Sequence, residues 1–114
     1  MDTWEELQDF VGQRGDVASV EMIVLRDIHD VKKLGIHVVT QISNKLKGVG
    51  LGHYPTDLPL YQEEYVRLYR LGTPTAELIG AVLDPSEEND AKLREIGSNG
   101  ATELLDRIRA LVSD

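Results

Sequence analysis

The chain has 114 residues, 41% of them hydrophobic and 28% charged, a balance that fits one globular domain and speaks against long-range disorder. It holds no cysteine, which excludes disulfides and thiolate metal sites, and no run near the ~20 apolar residues of a membrane span; with no secretory pattern in Met-Asp-Thr-Trp-Glu-Glu, a cytoplasmic protein is expected. A formal net charge of −8 argues against nucleic acid, yet residues 26–70 carry seven basic residues against five acids, while both flanking segments are strongly acidic.

Thr3 is placed to cap a first helix through Gln13, with Trp4, Leu7, Phe10 and Val11 on one face and Glu5, Glu6 and Asp9 away from it. Gly12 and Gly15 end it. Val17–Leu25 is an apolar run that suits either a buried strand or a buried helix. The preferred reading is a short strand at 17–19, then a helix capped by Ser19 and running to Ile28. His29–Gly35 is expected to turn, ending at Gly35, a residue able to adopt positive φ.

The clearest helix is 36–47. Val39, Ile42, Leu46 and Val49 recur at spacings of three and four, and His37, Thr40, Gln41, Asn44 and Lys45 fall on the other side. Gly48-Val-Gly-Leu-Gly stops it. His53 and Tyr54 begin a strand, Pro55 and Pro59 make 56–62 an exposed loop, and the near-alternating Tyr65–Leu71 returns as a second strand ended by Gly72. A further helix starts at Pro74 or Thr75, with Leu78, Ile79, Val82 and Leu83 as its stripe. Residues 86–96 form a polar helix, and a last one, capped near Ser98 or Asn99, aligns Leu104, Leu105, Ile108, Leu111 and Val112.

The expected class is therefore α+β, mostly helical, in a single domain spanning 1–114. Helix, turn, helix, hairpin and helix over residues 19–83, with the Lys-Lys-Leu-Gly turn before an amphipathic helix, resembles the winged helix-turn-helix superfamily. Extra N- and C-terminal helices flank it, the latter about 85–112. The resemblance implies a recognition helix at 36–47 that reads the major groove and a wing at 51–71. It implies that Gln41 and Asn44 pair with adenine, that Thr40 meets a thymine methyl, and that Lys45 reaches guanine or phosphate, with His37 on the same side. Lys32, Lys33, Lys47, Arg67 and Arg70 would contact phosphate. The loop 56–64 departs from a basic wing tip, holding Asp57, Glu63 and Glu64 and no basic residue.

Other chemistry lacks the residue patterns it needs. His29, His37 and His53 lack ligand spacing, so no metal or cofactor is expected. Asp84–Asp90 is rich in acids but lacks the order of a calcium loop, and those acids suit a helix start. The glycines of 48–52 follow a helix where a phosphate loop follows a strand. No serine and histidine are placed as nucleophile and base, so an enzyme is not expected. Tyr54, Tyr61, Tyr65 and Tyr69 cluster in the hairpin, as a strand face or as a partner surface. The functional expectation is a sequence-specific regulator binding double-stranded DNA, a homodimer through its terminal helices. The alternative is a non-catalytic winged-helix module that binds protein (an accessory subunit, adaptor or phage-encoded inhibitor) through its acidic surface or its tyrosine-bearing hairpin.

Overall fold

The computed structural model describes residues 1–98, 106, 109 and 110. Contacts group the chain into two compact units, Met1–Ala76 and Glu77–Asp114. The expected last helix, with Leu104, Leu105, Ile108, Leu111 and Val112, lies outside the described residues.

The first unit is α+β. Helix α1, Trp4–Gln13, begins where Thr3 Oγ1 accepts from the Glu6 amide at 3.1 Å, a cap of a type that contributes about 1 kcal/mol. Its spacing of apolar residues buries Leu7 and Val11 completely and leans Trp4 and Phe10 against the same core. The chain then turns through Gly15 and Asp16, both at positive φ, into strand β1, Val17–Glu21. This strand is longer than the spacing of local residues predicts. Val20 and Glu21 pair with Val66 and Tyr65 of a strand more than forty residues away, and that pairing outweighs the local helix signal.

Helix α2, Met22–Ile28, therefore starts after Glu21 and is not capped by Ser19, which sits in mid-strand opposite Arg67. Its first amides are satisfied from elsewhere: Met22 N–H donates to the Glu64 carbonyl at 2.8 Å and Ile23 N–H to the Gln62 carbonyl at 2.9 Å. Met22, Leu25 and Ile28 are its buried stripe. In the turn that follows, Asp30 takes the left-handed conformation, with φ 55°, whereas Gly35 is extended, with φ −112°. The expected positive φ thus falls on an aspartate, one of the residues that tolerate it.

Helix α3, Ile36–Gly48, buries Val39, Ile42 and Leu46, and the chain reverses at Gly50, with φ 77°. Strands β2, Leu51–Tyr54, and β3, Tyr65–Arg70, complete an antiparallel sheet in the order β1-β3-β2. Leu51, Val66 and Leu68 face the helices. Leu58, from the loop joining β2 and β3, also enters the core.

Helix α4, Pro74–Leu83, follows Thr73, whose hydroxyl accepts from the Ala76 amide at 3.1 Å. In the second unit, α5, Glu87–Ile96, is capped by Ser86, which accepts from the Asn89 amide at 3.0 Å. Glu87, Glu88 and Asp90 occupy its first turn, where they complement the helix dipole. Among the described residues no helix is long and apolar enough to cross a membrane.

Candidate functional site

Burying Val39, Ile42 and Leu46 leaves the opposite arc of α3 to solvent. His37, Thr40, Gln41, Asn44, Lys45 and Lys47 are all exposed on it. The two lysines flank the arc, and the uncharged polar residues occupy its centre. Thr40 Oγ1 donates to the Ile36 carbonyl at 3.0 Å, so the threonine hydrogen is spent inside the helix. Gln41 Oε1 lies 3.0 Å from His29 Nε2 at the end of α2. Gln41, Asn44 and Lys45 line a hollow of about 540 Å³ together with Trp4, Glu5 and the helix end.

A second tie fixes α3 from its flank. His53 Nδ1 lies 2.8 Å from the Pro55 carbonyl, an acceptor, so Nδ1 carries the hydrogen. In the neutral ring Nε2 then accepts from the Ser43 hydroxyl, also at 2.8 Å. In outline this is a nucleophile beside a base. Ser43 lies mid-helix, so the amides beside it are spent in the helix ladder and are not available to a developing oxyanion. The evident effect of the pair is mechanical, joining α3 to β2 and the following loop. Neither histidine contact was readable from spacing, since the partners stand ten and twelve residues apart.

Lys32 and Lys33 are exposed in the turn before α3. With Arg26, Leu34, Tyr61 and Glu63 they border a hollow of about 370 Å³. Arg26 is already engaged, by Gln62 at 2.6 Å and Asp27 at 3.0 Å. The acidic loop folds back toward this region, because Gln62 and Glu64 supply the carbonyls that receive the first amides of α2.

The two arginines of β3 lie elsewhere. Val66 and Leu68 face the core, so Arg67 projects from the other face of the sheet, between Ser19 and Tyr54. Arg70 turns toward α1, where its guanidinium pairs with Asp16 at 3.4 Å and lies against Gly12. The structure thus brings the α3 residues together and does not bring Arg67 or Arg70 to them. Tyr54 and Tyr65 flank Arg67 on the outer face, 47% and 65% exposed. Tyr69 lies so close over Gly52 that no Cβ would fit beneath it.

Among the described residues no group of three or more histidines and acids is placed to hold a metal ion. No protein-family model, curated protein or solved structure matches the chain.

Proposed function

We propose that this chain is a non-catalytic winged helix-turn-helix protein that binds double-stranded DNA through the exposed face of α3 and acts as a transcriptional regulator. The element order α1-β1-α2-α3-β2-β3 and the central position of β3 support that architecture. The observation that carries the reading is the α3 surface. A helix anchored by three buried apolar residues presents two amides, a threonine methyl and two lysines on one exposed arc, the side-chain types that read base edges in the major groove. Lys32 and Lys33 lie just before α3, where phosphate contacts are useful. The folded-back acidic loop contributes little to the interface, and Arg67 and Arg70 contribute less than Lys45 and Lys47. The terminal segments would join two copies, giving twice the 12.7 kDa chain mass in solution and doubling the basic footprint.

The test is titration of a mixed-sequence duplex at about 50 mM and about 200 mM salt. Binding is expected at low salt and lost at the higher salt. Lys45→Glu should weaken it by about tenfold without lowering the melting temperature. A failure to bind any duplex at low salt rejects the proposal.

One observation favours a second reading, a winged-helix module that binds protein. The outer sheet face exposes Tyr54 and Tyr65 around Arg67, in a chain whose net charge is −8. Aromatic residues with an arginine between them are the composition of a protein interface core. Absence of duplex binding together with an intact fold moves the weight to this reading.

A further inference from the structure

Gln41 is exposed, and its amide is tied to a neighbouring helix. Its Oε1 lies 3.0 Å from His29 Nε2, and an amide oxygen only accepts, so the histidine donates through Nε2–H. The His29 ring is half-buried at the end of α2 and is backed by Trp4, with ring centroids 6.1 Å apart and planes tilted by 57°. Each of the three residues sits next to an anchored position on its helix: Ile28 before His29, Ile42 after Gln41, and Leu7 one turn beyond Trp4 are all buried. The arrangement is therefore held from both sides of the hydrogen bond.

A free glutamine suits adenine because its oxygen accepts from N6–H while its amino group donates to N7. His29 holds one lone pair of that oxygen and so favours the orientation in which the NH2 faces outward as a pair of donors. Guanine offers two acceptors on that edge, N7 and O6, and no donor. Adenine would set its own amino group against the amide hydrogens. We infer that His29 is a positioning residue that sets Gln41 to read guanine in preference to adenine, an inference that rests on the DNA-binding reading above. Asn44, one turn along the same arc, has no side-chain hydrogen bond among the described residues and keeps both halves of its amide for adenine. The expectation that both amides read adenine is thereby divided between the two bases.

The experiment is selection from a pool of duplexes with a randomised segment, carried out with the wild-type chain and with Gln41→Ala, His29→Ala and His29→Gln. The base pair whose preference disappears in Gln41→Ala is the one that Gln41 reads. There the wild type should favour guanine over adenine by about tenfold. His29→Ala should bring that ratio near one, while affinity for the pool as a whole falls by less than about threefold. His29→Gln, whose amide N–H can donate to the same oxygen, should restore the preference. A merely structural histidine would weaken all sequences alike and leave the ratio untouched. An unchanged ratio in His29→Ala, a wild-type preference for adenine at that position, or no position that responds to Gln41→Ala overturns the inference while DNA binding itself stands. If the wild type binds the pool but enriches nothing, the inference fails and duplex binding stands; if it binds no duplex at all, both fail.

Discussion

Along β3, Val66 and Leu68 point into the core and are almost completely buried, whereas their neighbours Tyr65 and Arg67 point the other way and are exposed. The inner face is set by volume. Leu51, Val66 and Leu68 meet Leu7 and Val11 of α1 and Ile42 and Leu46 of α3 in one apolar cluster, and each methylene there is felt. The outer face is set by fit between adjacent strands. Tyr69 occupies the space that Gly52 leaves open, and the Tyr65 hydroxyl donates to Glu21 Oε1 across 3.4 Å. The inner face holds α3 in place and so determines where its polar arc points. The outer face leaves Tyr54, Tyr65 and Arg67 exposed to solvent.

Three substitutions sharpen or break that contrast. Leu46→Ala, which empties a fully buried position beneath α3, should cost about 2–5 kcal/mol and show the largest fall in denaturation midpoint. Gly52→Ala places a methyl group into the Tyr69 ring and should cost about 1–3 kcal/mol by the same measurement. Tyr65→Ala removes a 65%-exposed ring with one long hydrogen bond and should change stability by no more than about 0.5 kcal/mol. If Tyr65→Ala proves as costly as Leu46→Ala, the outer face is a buried surface in the functional protein and the contrast collapses.

Much of the first unit was legible where the signal is local. Thr3 before α1 and the spacing of Val39, Ile42 and Leu46 in α3 each carry their reason within a few residues. β1 was harder, because Ser19 resembles a helix cap and the strand that claims it lies 48 residues on. Gly35 is the residue of this turn best able to adopt positive φ, but Asp30 is the one that does, and Gly35 is extended. Of the candidate site, the α3 arc follows from helical period alone. The separation of Arg67 from Arg70 was also within reach, since three residues along a strand is an odd step and changes face. The ties from His29 to Gln41 and from His53 to Ser43 were not, because side chains meet there across a fold that no spacing encodes.

The carbonyls of Gln62 and Glu64 that receive the first amides of α2 bear on how this protein can vary. A backbone carbonyl is the same for every residue type, so the letters at 62 and 64 are interchangeable as far as this contact is concerned. Their number is not. Removing one residue between Tyr61 and Tyr65 would pull both acceptors out of register with Met22 and Ile23, so this stretch should tolerate respelling far better than shortening.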